Sequence, residues 1–177
     1  YLTFDDGPIP EATPYVLDVL DSLDIKATFF MVGENAQRYP YLLEEVRRRG
    51  HRIGNHTHNH IGGFRWFSWK YLGNVQKAED ILQTGKLFRP PRGWMKPMQY
   101  RVLRHTGRRV VMWDVVTRDY SNILTADDVL QNIKRYTRNG SIITFHDSLK
   151  SIDKLRQMLP EALSWLKEQG YEFKVFD

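Results

Sequence analysis

Two aspartates in succession close a short apolar run, Tyr1-Leu2-Thr3-Phe4-Asp5-Asp6-Gly7-Pro8, and set two carboxylates where a strand must stop. Neighbouring residues of an extended chain point to opposite faces, whereas a turn opening at Gly7-Pro8 can swing both toward one cleft. Like charges this close repel unless something cationic neutralises one of them, and a metal ion is the natural candidate. The stretch His51-Arg52-Ile53-Gly54-Asn55-His56-Thr57-His58-Asn59-His60 holds four of the chain's six histidines and supplies further ligands. His56 and His60 would share one face if the chain turned helical there. His58 would then point away, into a second layer or solvent, and His51 would belong to a strand start. Two imidazoles and one carboxylate leave positions open for water and substrate. That donor set suits catalytic zinc, and also Fe(II), Co(II) or Ni(II).

Elements that could position these groups alternate along the chain. Strand-like runs cover Lys26–Val32, Arg109–Trp113, Ser141–Phe145 and Tyr171–Phe176. Amphipathic helical patterns cover residues 15–23, 34–49, 68–84, 96–106, 125–137 and 152–169. Gly50, Gly107, Gly140 and Gly170 stand where left-handed C-terminal caps are expected, and Thr125 looks like an N-cap ahead of acidic first-turn residues. Such alternation without a long linker implies one α/β domain spanning 1–177, built on about seven mostly parallel strands. It could close as a (β/α) barrel or stay open. The reactive residues fall at the ends of strand-like runs, and in a parallel barrel those ends share one face, so the barrel is the expected form.

Composition narrows the partners. The 177 residues carry a net charge of +5, which mildly favours anionic partners and equally serves solubility. The basic residues are scattered, with Arg47-Arg48-Arg49 the one triplet, and no nucleic-acid module pattern is present. Five Trp, nine Tyr and nine Phe suit sugar stacking or core packing. The absence of cysteine excludes thiolate metal sites and disulfides. No apolar run is long enough to cross a membrane. The chain opens on Tyr1 inside a strand, so an upstream segment carrying any signal peptide or anchor is expected to be missing.

Thr3-Phe4-Asp5-Asp6-Gly7-Pro8 followed by His56-Thr57-His58-Asn59-His60 resembles the polysaccharide deacetylase (NodB-homology) family, carbohydrate esterase family 4. Arg89-Pro90-Pro91, the segment around Asp119-Tyr120, and Thr144-Phe145-His146 are similar to its three remaining motifs, in order. The resemblance implies a distorted (β/α) barrel with catalytic loops at the C-terminal face, one divalent transition metal with zinc foremost, and an acetylated polysaccharide as substrate. It also implies an extracytoplasmic location. Carried over by residue, Asp6, His56 and His60 would hold the metal and Asp5 would be the catalytic base. Arg89 would orient that base, His146 would act as general acid, and Asp119 would hold His146 charged. A backbone N–H near Arg92 would complete the oxyanion site, with Arg92, Tyr120 and Trp94 at the substrate.

Four positions depart from the family pattern: Arg92 in place of an aromatic, Val116 in place of an aspartate, Tyr120 in place of Trp and Thr144 in place of Leu. None removes a ligand, base or acid. The departures at 92, 116 and 120 motivate a second reading, a non-catalytic carbohydrate-binding relative; a third is a hydrolase of another C–N bond, such as a small cyclic amide, on the same scaffold. Of the remaining side chains, Asp147 reads as a helix cap, Trp69 as core and Trp113 as packed beneath the site. Trp66 stays open between core and sugar platform. The polymer, the preference for N- or O-acetyl groups and the oligomeric state are not fixed by the sequence.

Overall fold

The computed structural model describes residues 1–177. Strands β1 (Leu2–Asp5), β2 (Thr28–Met31), β3 (Arg52–Asn55), β4 (Leu87–Phe88), β5 (Arg109–Val110), β6 (Val115–Val116) and β7 (Ile143–His146) pair in parallel in the order β5-β4-β3-β2-β1-β7-β6. Helices α1 (Thr13–Ser22), α2 (Gly33–Arg38), α3 (Pro40–Arg48), α4 (Ser68–Leu82), α5 (Pro97–His105), α6 (Ala126–Tyr136) and α7 (Ile152–Glu168) lie between the strands or after them. The sheet curls into a distorted (β/α) barrel that is open between β5 and β6.

The strand sequences explain the two faces. In β1 the alternation Leu2-Thr3-Phe4-Asp5 sends Leu2 and Phe4 one way and Thr3 and Asp5 the other. Phe4 stacks on Phe29 of β2 and on Phe145 of β7, with ring centroids 5.1 and 5.4 Å apart. These rings belong to the main core, together with Val16, Leu17 and Leu20 of α1 and Leu159 and Leu163 of α7. Each such side chain, buried completely, contributes roughly 1.5–3 kcal/mol. The opposite face carries Thr3, Asp5 and Thr144 into the barrel, where register places Thr3 beside Thr144 and Asp5 beside His146. The strands thus separate an apolar exterior under helices from a polar interior.

Helix ends follow local chemistry. Thr125 accepts from Asp128 N at 3.1 Å while the Asp128 carboxylate accepts from Thr125 N at 2.9 Å, the reciprocal cap expected there. Gly50, Gly107 and Gly170 take positive φ directly after the C-caps Arg49, Thr106 and Gln169, as anticipated, whereas Gly140 takes it in the turn three residues beyond the extended C-cap Thr137 and caps no helix.

Three expectations need correction. The helix expected over 34–49 is two, because Tyr39 precedes Pro40 and leaves helical geometry at φ −126°, ψ 61°. The run Arg109–Trp113 is strand only at its first two residues. Tyr171–Phe176 is not a strand at all. Its alternation reflects packing instead: Phe176 stacks on Tyr1 at 4.7 Å and joins Phe30, Leu87 and Val111 in a small cluster.

Candidate active site

Asp5 is the last residue of β1, and Asp6 breaks the strand's alternation with φ 81°, a positive value that Asp tolerates better than most side chains. The two carboxylates therefore leave the sheet in different directions but reach the same cleft. The turn after them is tied down. Gly7 N donates to Asp147 Oδ1 at 3.1 Å, and Asn35 Nδ2 donates to the Asp6 carbonyl at 2.8 Å. A Cβ at position 7 would lie 2.0 Å from Asp147 Oδ2, so only glycine fits there.

The histidines come from the segment following β3. It is not helical. Thr57 and His60 both have positive φ (66° and 52°), and Thr57 Oγ1 accepts from Ile61 N at 3.1 Å, so a compact loop rather than a helical turn brings the two rings to 5.2 Å. His56 Nδ1 lies 2.8 Å from the Arg89 carbonyl oxygen. A carbonyl only accepts, so Nδ1 carries the proton and Nε2 presents its lone pair to the cleft. Burial lowers the His56 pKa to about 4, prevailing over the attraction of Asp5 and Asp6, which keeps this imidazole neutral.

One carboxylate oxygen and one nitrogen from each ring of Asp6, His56 and His60 lie within 4.8 Å of one another. Asp6 Oδ1 is 3.1 Å from His60 Nε2 and 3.7 Å from His56 Nε2. Yet this buried oxygen makes no hydrogen bond, because neither contact has hydrogen-bond geometry. Burial opposes the Asp6 charge, but His60, His56 and His146 outweigh it and hold the carboxyl well below the usual range. An orphaned carboxylate oxygen facing two imidazoles is what a divalent cation requires, and the donor set fits one.

Arg89 follows β4 and is fully buried. Its Nη1 donates to Asp5 Oδ1 at 2.7 Å, to Thr3 Oγ1 at 2.7 Å and to Thr144 Oγ1 at 3.2 Å. Nε and Nη2 donate to the carbonyls of Val111 and Met112 at 3.2 and 3.1 Å. The guanidinium also lies 4.1 Å from the centroid of the Phe30 ring and 5.5 Å from that of Trp113. A charge buried this deeply persists only with such complete satisfaction. Asp5 Oδ2, the oxygen free of Arg89, sits 4.0 Å from His56 Nε2.

On the strand next to β1, His146 ends β7. Its Nδ1 lies 2.8 Å from Asp119 Oδ1, and its backbone N–H donates to Asp119 Oδ2 at 2.7 Å. A carboxylate accepts, so His146 Nδ1 carries the proton and Nε2 is left for the cleft. Burial disfavours the imidazolium, but hydrogen bonding to Asp119 and the charges of Asp119, Asp5 and Asp6 prevail and raise its pKa to about 9. The Tyr120 ring meets the His146 ring edge-on at 4.8 Å. These groups line a cavity of about 500 Å³, whose rim includes Arg92, Trp94, Trp113 and Tyr120.

All ten residues singled out from the sequence reach this region. Two neighbouring readings fail. Asp147 is no helix cap: it is buried, accepts from Gly7 N and from Thr13 Oγ1 at 2.6 Å, and burial raises its pKa to about 8 against those bonds. Trp69 is 70% exposed rather than core. Of the two alternatives for His58, a second layer or solvent, its burial excludes solvent. Thr3 escaped notice, although its place two residues before Asp5 in a strand already puts both on one face. The hydroxyl of Thr144, noted only as a departure, bonds the same guanidinium.

The family model for polysaccharide deacetylase matches residues 1–111. A peptidoglycan-N-acetylglucosamine deacetylase of Bacillus cereus is 35% identical, covering 97% of this chain and 83% of its own length; a second from that organism is 34% identical, and the chain spans 64% of it. Among solved structures, a peptidoglycan N-acetylglucosamine deacetylase in complex with an N-oxidanyl-benzamide superposes with TM-score 0.88 at 32% identity, covering 99% of this chain and 84% of that one. A mutant of a family 4 pseudoenzyme with restored activity also reaches 0.88, at 26% identity, covering 99% of this chain and 64% of that one. With its motifs converging on a single cleft, this chain belongs to the polysaccharide deacetylase family, carbohydrate esterase family 4.

Proposed function

We propose that this protein is a metal-dependent hydrolase that removes N-acetyl groups from a polysaccharide of the peptidoglycan or chitin kind, with zinc in the Asp6–His56–His60 site. The observation carrying the reading is that a fixed carboxylate, Asp5, and a charged imidazole, His146, line one cleft beside that site. A pseudoenzyme of the same fold would have no need to keep all of these together. The rim of partly exposed rings favours a polymer over a small cyclic amide, for which a closed pocket would serve better. A wall glycan places the activity outside the cytoplasm; no helix is long and apolar enough to cross a membrane.

A bound dication supplies positive charge that polarises an acyl carbonyl and acidifies a water. Asp5 accepts the proton of the attacking water; Arg89 fixes its Oδ1 at 2.7 Å and so leaves Oδ2 to do this. The backbone N–H of Arg92, at the cleft wall, steadies the oxygen on which charge develops. His146 gives the proton from Nε2 to the departing amine, and Asp119 keeps it charged for that purpose. The test is acetate release from N-acetylated glycan oligomers, which should stop on chelation and return with added zinc; release that survives chelation rejects the reading.

His146 must be protonated to act, so activity is expected to fall as pH rises through its pKa of about 9. Asp119→Asn removes the hydrogen-bonded charge that contributes most to raising this value, leaving burial opposed only by Asp5 and Asp6. The alkaline limb of the kcat profile should therefore move down toward or below the unperturbed ~6.5. An unmoved limb in the pH–rate profile would remove His146 from the role.

A further inference from the structure

Beside the catalytic cleft lies a second cavity of about 190 Å³ lined by Gly62, Phe64, Arg65, Arg92 and Trp94. It shares Arg92 and Trp94 with the cleft, so the two form one continuous groove. Its walls are held from behind. Gly63 N donates to the Trp94 carbonyl at 3.0 Å, and Gln99 bridges the two turns, donating to the Gly63 carbonyl at 3.0 Å and accepting from Lys96 N at 2.8 Å. A Cβ on Gly63 would come within 2.3 Å of Gln99 Oε1, so the approach of the turns depends on that glycine. Phe64 and Trp94 meet edge to face at 5.5 Å, and each keeps more than half its surface exposed.

Two guanidiniums accompany the rings, and nothing in the chain neutralises them. Neither Arg65 nor Arg92 takes part in an ion pair, and no acidic residue lines the cavity. The backbone at Arg92 has φ 61° within the turn Pro91–Gly93, a conformation that presents its side chain at the junction of cavity and cleft. Rings offer faces to the apolar side of a pyranose; a planar guanidinium binds a carboxylate through paired charge-assisted bonds.

We infer that this cavity is a subsite for a carboxylate-bearing sugar adjoining the residue being deacetylated, with Phe64 and Trp94 packing on the ring and Arg65 and Arg92 binding its carboxylate. The inference rests on the glycan-deacetylase reading and narrows it to anionic glycans. Arg92 stands where the family pattern has an aromatic, and its guanidinium adds recognition of charge.

The probes are a tetrasaccharide of alternating N-acetylglucosamine and N-acetylmuramic acid and the same tetrasaccharide with its carboxylates reduced to alcohols. Calorimetric Kd values for the zinc-loaded protein carrying Asp5→Asn report the subsite without turnover, and acetate release by the unsubstituted protein is followed in parallel. The acidic form should bind at least about tenfold more tightly. Arg65→Gln should erase most of that preference, while Arg135→Gln, which removes an equal charge from exposed α6, should retain it. Equal Kd values for the two probes, or equal loss of preference in both variants, overturns the subsite. Carboxylate preference in binding without acetate release from either probe supports the subsite and rejects the hydrolase reading instead.

Discussion

Asp5→Asn is expected to leave the divalent cation bound while lowering kcat by about 10²–10⁴-fold, the usual contribution of a positioned general base. Asp6→Asn should behave differently. Asp6 Oδ1 is the oxygen that faces both imidazoles, so its loss removes a ligand and with it metal affinity as well as activity. Loss of a group that merely orients a ligand already costs ~10–100-fold in affinity, and loss of the ligand itself should exceed that. Metal content after dialysis, with kcat for each variant, separates the cases. Equal metal loss in both variants would reject the division of roles between the two carboxylates.

Arg89→Met should be the most destabilising single change at the site. It would leave Asp5 buried with no counter-charge and strip partners from Thr3, Thr144 and two carbonyls. Removing one partner of a buried ion pair costs about 3–5 kcal/mol. For a chain of this size that corresponds to a fall in Tm of about 6–20 °C. Urea denaturation of the metal-free protein measures the loss without interference from the metal. A loss below about 1 kcal/mol would mean that the network is solvated rather than buried. Arg89→Lys should recover part of the stability but little activity, since a point charge cannot hold Asp5 and the two carbonyls together.

What the sequence discloses here depends on how local each signal is. Five of the seven helices are legible to within a few residues, because caps and periodicity sit inside each element, while α2 and α3 read as one. Asp5, Asp6, His56 and His60 were legible because their residue types and spacing are unusual in themselves. The backbone that unites them was not. The i, i+4 spacing of His56 and His60 mimics a helix, yet positive φ at Thr57 and His60 builds a loop, and neither residue type advertises that conformation. The Arg89 network was also hidden, since Thr3, Thr144 and Arg89 meet only through strand register across some 140 residues. Tyr171–Phe176 misled in the opposite direction, with alternation produced by packing on Tyr1 and Phe30 rather than by pairing.

The register of β1 against β7 has a consequence for how this enzyme can diverge. Asp5 lies directly beside His146, and Asp147 N donates to the Asp5 carbonyl at 3.1 Å. The backbone positions from which Asp5 and His146 reach the cleft are thus set by the spacing of adjacent strands, about 4.8 Å in any sheet, and not by a loop. Positions such as Arg92, Trp94 and Tyr120 lie on connections that can be rewritten without altering that spacing. The lining of the cleft can thus change while Asp5 and His146 keep their relative places, because the two are stored in different parts of the backbone.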